Sequence, residues 1–203
     1  MPKKYLPDVY GDAARADLTG YYDAWAGSYD SELAENEYEM PKRLAAALAD
    51  VDTPHDSRIL DYGCGTGLGG EAFVAHGFTL IDGTDVSANM LAAAEAKQIY
   101  GRLWLTDPDA PVTIAPGEYA VIAAVGVVSP GAAPAQLLGT LADALEPGGR
   151  LAFSFNDHAL SDPSYIEALR DLPNRSMTVL HESYGEHLVA MGMKSTVYVF
   201  EKA

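Results

Sequence analysis

The sequence predicts an α/β fold: a doubly wound, mostly parallel seven-stranded sheet with an antiparallel C-terminal strand. Three observations carry this expectation. From residue 57 onward, short β-type runs alternate with helical segments, the order that builds parallel strands joined by crossover helices. The first of these runs, Ile59-Leu60, leads into a glycine cluster, as a strand does where it must turn sharply into a helix. The last two runs, 177–182 and 196–201, are joined by a connection too short for a βαβ crossover, so they are expected to pair antiparallel.

Taken in order, the first twenty residues are polar and rich in Ala, Asp and Gly, and a loose arm or short helix is expected there. Residues 21–50 read as helical. The aromatic segment Tyr21-Tyr22-Asp23-Ala24-Trp25-Ala26 comes first, and Pro41 then takes a first-turn position ahead of Leu44, Ala45 and Leu48. A turn-like stretch, 51–57, precedes the first strand. Beyond the glycines, 71–76 forms a short helix stopped by Gly77. Residues 78–81 make the second strand, and Ser87 caps a helix over 88–98. Leu103-Trp104-Leu105 is the third strand; 119–125, the fourth, is apolar enough to be buried on both faces. Leu137, Leu138, Leu141 and Leu145 then line one helix face, Pro147-Gly148-Gly149 turns the chain, and 151–155 makes the fifth strand. Asp162-Pro163 starts a helix to about residue 172, ahead of the two β-branched terminal strands.

A chain of 203 residues fits one domain with a sizeable core. No apolar run approaches the roughly 20 residues of a membrane helix, and the start, Met-Pro-Lys-Lys-Tyr-Leu-Pro, has no apolar signal core. Neither membrane nor secretion is expected. Cys64 is the single cysteine, which suits a reducing cytoplasm. Net charge is −16, and the 13 Lys and Arg residues are scattered, so a polyanion would be repelled over most of the surface and nucleic acid is not expected as a partner. Solubility alone can also account for the acidity. Nothing in the sequence sets the oligomeric state.

The strongest chemical signal is Ile59-Leu60-Asp61-Tyr62-Gly63-Cys64-Gly65-Thr66-Gly67. Glycines are needed where backbone passes close to a ligand with positive φ. The run Gly65-Thr66-Gly67-Leu68-Gly69-Gly70 also satisfies the G-x-G-x-x-G pattern of nicotinamide enzymes. Two features favour S-adenosylmethionine instead. A carboxylate at Asp61 would repel a pyrophosphate yet can hold an ammonium group, and nearly sixty residues precede a motif that usually opens a dinucleotide domain.

Asp61 to Gly67 resembles motif I of class I S-adenosylmethionine-dependent methyltransferases. Gly83-Thr84-Asp85-Val86-Ser87-Ala88-Asn89-Met90-Leu91 is similar to their second motif, and Leu145-Glu146-Pro147-Gly148-Gly149 to the turn before their fifth strand. Tyr22 to Asp30 and Ile99 to Leu103 look like the methyltransferase-like proteins of the Williams–Beuren syndrome critical region and their bacterial relatives. The resemblance covers roughly residue 21 to the C-terminus. It implies a Rossmann-like fold, S-adenosyl-L-methionine as cofactor, a helical lid over the cofactor at 1–50, and a single cofactor-binding domain at 51–203.

Carried over residue by residue, the resemblance places Gly63, Gly65 and Gly67 along the methionine moiety and ribose. Asp85 would accept from both ribose hydroxyls, Val86 would cover an adenine face, Asp107 would sit near the adenine amino group, and Val125 would border the methionine side. Asp61, Cys64 and Met90 join this set, with Cys64 a small packing residue rather than a nucleophile. Tyr29 and Tyr22 are the lid aromatics expected to face the sulfonium cation. Plainer readings exist: Asp85-x-Ser87 can be a capping turn, Asp107 can simply open the Asp107-Pro108-Asp109 turn, and the aromatic spacing is that of an ordinary apolar helix face. Ala120 replaces an acidic residue that relatives often carry, and Pro108 lacks an N–H that relatives can offer to adenine; modest cofactor affinity is the expectation.

Methyl transfer is an in-line displacement that needs positioning and dryness more than covalent catalysis. Where the acceptor must lose a proton, Asp157, His158, His181 and His187 are candidate bases; His55 and His76 sit in connections with no neighbouring chemistry. No metal-ligand spacing and no phosphate-binding Gly-Lys-Ser/Thr loop is present in the sequence. The expectation is methyl transfer to a small-molecule acceptor. The alternatives are a nicotinamide-dependent oxidoreductase and a catalytically silent S-adenosylmethionine-binding protein.

Overall fold

The computed structural model describes residues 4–9, 11, 16–108, 110 and 113–203. Strand β1 (Arg58–Tyr62) buries Ile59, Leu60 and Asp61 and pairs in parallel with β2 (Leu80–Asp85) on one side and β4 (Val121–Ala124) on the other. With β3 (Leu103–Leu105), β5 (Arg150–Asn156), β6 (Met177–Leu188) and β7 (Met193–Lys202), the seven-stranded order is β3-β2-β1-β4-β5-β7-β6. Strand β7 alone runs antiparallel, against both β5 and β6. Because the chain leaves β1 toward β2 and later returns to β4, the switch in winding direction falls between β1 and β4, where such sheets bind ligands at their carboxyl ends.

Each face of the sheet is closed by helices whose apolar spacing dictates it. On one face, helix α3 (Met40–Asp50) and helix α4 (Leu68–Ala75) press Met40, Leu44, Leu48 and Phe73 onto Ile59, Val121 and Val197. On the other, α6 (Leu137–Asp143) sets Leu138 and Leu141 against Ile122, Leu151 and Phe153. Helices α7 (Asp157–Ser161) and α8 (Pro163–Asp171) flank that face. A third cluster lies over the carboxyl ends: α1 (Leu18–Trp25) and α2 (Tyr29–Glu35) gather Tyr21, Trp25 and Leu33 with Leu6, Val9, Leu188 and Met90 of α5 (Ala88–Ala96). Of the helical stretch 21–50, then, only α1 and α2 cover the carboxyl ends; α3 packs on the sheet. Among the described residues no helix is long and apolar enough to cross a membrane.

Several boundaries differ from the sequence expectation, for identifiable reasons. Strand β2 runs to Asp85 rather than stopping at 81. Its polar Asp82-Gly83-Thr84 is laddered to β1, and from Gly83 onward to β3 as well, and the Asp82 carboxylate is paired with Arg58 and Arg102. Helix α4 begins at Leu68, since Gly69 and Gly70, which read as loop, are packing positions inside it. Strand β6 extends through Ser183-Tyr184-Gly185-Glu186, where the Arg43 guanidinium donates to the carbonyls of Ser183 and Glu186. Helix α7 was not expected; its N-terminus is capped by the Asn156 side chain, which accepts from the Ala159 N–H at 3.0 Å.

Candidate cofactor cavity

The glycine turn after β1 is bent across the end of β2. The N–H groups of Gly63 and Cys64 both donate to the Thr84 carbonyl, at 2.8 and 2.9 Å. Gly63, Gly65 and Gly67 adopt φ of +71°, +55° and +96°, a region open to glycine without a Cβ penalty. A Cβ on Gly63 would lie 2.5 Å from a Val127 methyl, while one on Gly65 would meet nothing within 4 Å: that stretch of backbone borders open space.

The open space is a cavity of about 480 Å³ at the ends of β1 to β4. Gly63 and Gly65 line it, as do Asp85, Val86, Met90, Asp107, Val125 and the rings of Tyr22, Tyr29 and Tyr62. Asp85 organises its floor. One carboxylate oxygen accepts the Gly65 N–H at 2.8 Å and the other the Ser87 N–H at 2.9 Å. Burial pushes the Asp85 carboxyl up, opposed by these backbone N–H groups. Ser87 in turn caps α5, its hydroxyl accepting the Met90 N–H. Asp107 both lines the cavity and opens a turn, its carbonyl accepting the Ala110 N–H at 3.2 Å; Asp109 lies outside the described residues.

Asp61 and Cys64 stand behind the turn, lining a space of about 20 Å³ shared with Tyr29, Tyr38 and Gly65. Asp61 is fully buried. Its Oδ2 accepts from the Tyr100 hydroxyl at 2.7 Å, and its Oδ1 has no partner. Burial pushes the carboxyl up to about 7, with the Tyr100 hydroxyl pulling the other way. Burial thus disfavours the charged form of Asp61, the form that would repel a pyrophosphate. Burial likewise drives the Cys64 thiol upward, the state of a packing residue rather than a nucleophile. Gly67 lines neither space; it is the left-handed N-cap of α4, facing Tyr100 and Lys97.

The aromatic segment divides. Tyr21 and Trp25 are buried in the third cluster, whereas Tyr22 and Tyr29 face the cavity. Two carboxylates missed in the sequence hold α1 and α2 in place. Asp23 accepts from the Ser87 hydroxyl and from the Asn89 N–H at the start of α5. Asp30 accepts from the Thr66 hydroxyl in the glycine turn and pairs with Lys97 at 3.0 Å. No spacing rule marked them, because their partners are 36 and 64 residues away. Tyr100, equally unmarked, has a hydroxyl 2.7 Å from Asp61.

Among the candidate bases, Asp157 is committed elsewhere: its oxygens accept the Tyr184 hydroxyl and the Lys194 N–H, both at 2.9 Å. His181 meets the Ser183 hydroxyl at 2.9 Å, and neither it nor His158 lines the cavity. His187 lines a recess beside it.

The residues present fit the nucleoside cofactor that the motifs imply: a carboxylate with spare lone pairs for a diol, aromatic faces, an orphaned buried carboxylate oxygen, and a turn stripped of side chains. Residues 33–188 match the family described as methyltransferase domain, and the chain belongs to that family. It is 34% identical over 152 residues to methyltransferase-like protein 27 of Homo sapiens, an alignment covering 73% of this chain and 61% of that one. With the 18S rRNA (guanine-N(7))-methyltransferase bud23 of Schizosaccharomyces pombe it shares 32% over 111 residues, covering 53% and 40% respectively. The chain thus spans less than two thirds of these curated relatives. Among solved structures, magnesium protoporphyrin IX methyltransferase from Synechocystis, with bound SAH, superposes with a TM-score of 0.70 over 94% of this chain and 100% of that one, at 14% identity. That likeness establishes the Rossmann-like fold.

One expectation is overturned. Nucleic acid was excluded on net charge, yet several curated relatives are 18S rRNA guanine-N7 methyltransferases. Net charge describes the far field of a surface, and the matched region is only part of those relatives, so a charge count over this chain does not decide what reaches the cavity.

Proposed function

We propose that the chain is an S-adenosylmethionine-dependent methyltransferase that binds its cofactor in the 480 Å³ cavity and methylates a small molecule. The observation that carries this reading is the cavity's charge. Among its described lining residues are the carboxylates Asp85 and Asp107, three tyrosines, and no Lys, Arg or His. Such a wall attracts a cation and opposes a pyrophosphate, which disfavours a nicotinamide dinucleotide. When bound, the cofactor supplies a methyl group already activated on a sulfonium. The protein's part is to hold the ribose at Asp85, turn the methionine end past Gly63 and Gly65, and exclude water with Tyr22 and Tyr29. Helices α1 and α2 bring the rings of Tyr22 and Tyr29 to the cavity wall, in keeping with a small acceptor. Cytoplasmic residence belongs to the same proposal.

Methylation of a purine nitrogen in RNA is a second reading, favoured by the 18S rRNA relatives. Incubating the protein with methyl-labelled cofactor and separate metabolite and total-RNA pools, followed by mass spectrometry, tests both. Label in a metabolite supports the first; label in RNA alone supports the second. Tight cofactor binding with label in neither pool points to a silent binder.

A further inference from the structure

Among the described residues, three buried side-chain polar atoms have no partner, and two of them belong to residues of one recess, Trp25 Nε1 and His187 Nδ1. The recess holds about 40 Å³ and adjoins the cofactor cavity, with which it shares Tyr22, Tyr29, Gly126 and Ala132 as walls. Trp25 and His187 are 2% and 5% exposed, so bulk water satisfies neither atom. An unpaired buried donor or acceptor is costly, and a site that keeps two of them beside a ligand cavity is built for a group that pairs with both.

The backbone aims His187 there. Strand β6 breaks register between Glu186 and Leu188, with His187 as the residue out of step; bulges of this kind re-aim a side chain and cluster near active sites. The His187 carbonyl is held by the Glu39 N–H at 3.0 Å, and its ring stands edge-on to Tyr38 at 5.2 Å. Burial and the nearby Arg43 push the imidazole down to about 4, so it is neutral at pH 7 and one ring nitrogen can accept. The indole N–H of Trp25 can only donate. No Asp, Glu, Lys or Arg lines the recess among its described residues, so a charged guest would be desolvated without compensation.

We propose that this recess receives the reacting end of the methyl acceptor, a neutral group that accepts a hydrogen bond from Trp25 and donates one to His187: a hydroxyl, or the C(=O)–NH edge of an amide or lactam. This rests on the methyltransferase reading. In the transfer, the acceptor's oxygen or nitrogen bonds to the methyl carbon and the carbon–sulfur bond breaks with its electron pair left on sulfur. The acceptor's proton passes to the His187 imidazole and then to water. An ordered water fits the same volume and would hold the place of the hydroxyl until the acceptor arrives.

Formamide, which carries the same donor and acceptor edge, is the probe. The full-length protein with 15N-labelled histidine is saturated with S-adenosylhomocysteine and titrated with formamide while the His187 ring resonances are followed. The expected result is a saturable shift, and roughly five- to tenfold weaker binding in Trp25→Phe, which keeps an aromatic side chain and loses the N–H. His187→Asn should bind cofactor within twofold of the parent while methyl transfer to extract metabolites falls about 10²- to 10⁴-fold. Unmoved His187 resonances, formamide binding indifferent to Trp25→Phe, or undiminished transfer by His187→Asn would each overturn the proposal. Failure of the parent to bind the cofactor would instead sink the methyltransferase reading, and the formamide result would stand apart from it.

Discussion

Replacing Asp85 by Ala should weaken cofactor binding by two to four powers of ten and also lower the melting temperature. An ionised carboxylate offers about four lone-pair sites, and the backbone N–H groups of Gly65 and Ser87 take two of them. Beside these and the Val86 N–H, which also favours the charged form, the carboxylate lines the cavity and can accept from the vicinal hydroxyls of a ribose. Charge-assisted hydrogen bonds contribute about 1.5–3 kcal/mol each, so losing both removes roughly 3–6 kcal/mol, at about 1.4 kcal/mol per tenfold. The structure adds a second cost. Ser87, which is fully buried, would lose the acceptor of its N–H, at about 1–3 kcal/mol for a donor left unpaired, and Gly65 beside the cavity would lose its own, so the variant cannot be neutral for the fold. Titration calorimetry with S-adenosylhomocysteine and a melting curve on the same protein separate the two effects. A lowered melting point with unchanged affinity would show that Asp85 is a brace for the glycine turn and nothing more.

Three further outcomes are expected. Because burial raises Asp61 from 3.8 to about 7, the folded chain keeps a proton that the unfolded chain gives up. The stabilisation is full below about pH 4 and is lost as pH rises to about 7, so the stability gap between parent and Asp61→Asn should narrow by up to roughly 4 kcal/mol across that window; a gap constant with pH in urea titrations would refute this. Gly70→Ala places a Cβ 2.5 Å from the Tyr100 hydroxyl; about 1–3 kcal/mol of destabilisation is expected by denaturant titration, and none would mean that Tyr100 moves freely off Asp61. Hydrogen exchange across residues 18–35 should slow when S-adenosylhomocysteine is added, and slow less in Asp23→Ala, which loses the contacts to Ser87 and Asn89; equal protection with and without ligand would leave Tyr22 and Tyr29 as ordinary packing residues.

Local signals in the sequence carried the sheet and its ligand edge. The glycines at 63, 65 and 67 announce a turn that other residues adopt only under strain, and Ser87 announces a cap that the structure contains. The apolar runs of β4 and β5 needed no context. What stayed hidden depends on partners distant in sequence. The polar end of β2 looks like loop until Arg58 and Arg102 are seen to pair with Asp82, and the second half of β6 is held by Arg43, some 140 residues away. Aromatic spacing could not divide Tyr22 and Tyr29 from Tyr21 and Trp25, because helix periodicity gives a face and not what covers it. Nearness to strand ends in the sequence does not by itself make a base. The Asp157 carboxylate is occupied by the Tyr184 hydroxyl and the Lys194 N–H, and His187 stands out only through a bulge that no pattern of residues marks.

The charge of the cavity wall makes the most direct demand on experiment. Titration calorimetry of the unmodified protein with S-adenosylmethionine and, separately, with NAD should give saturable one-to-one binding of the first and none of the second. Tighter binding of NAD, or no binding of S-adenosylmethionine, would contradict the account.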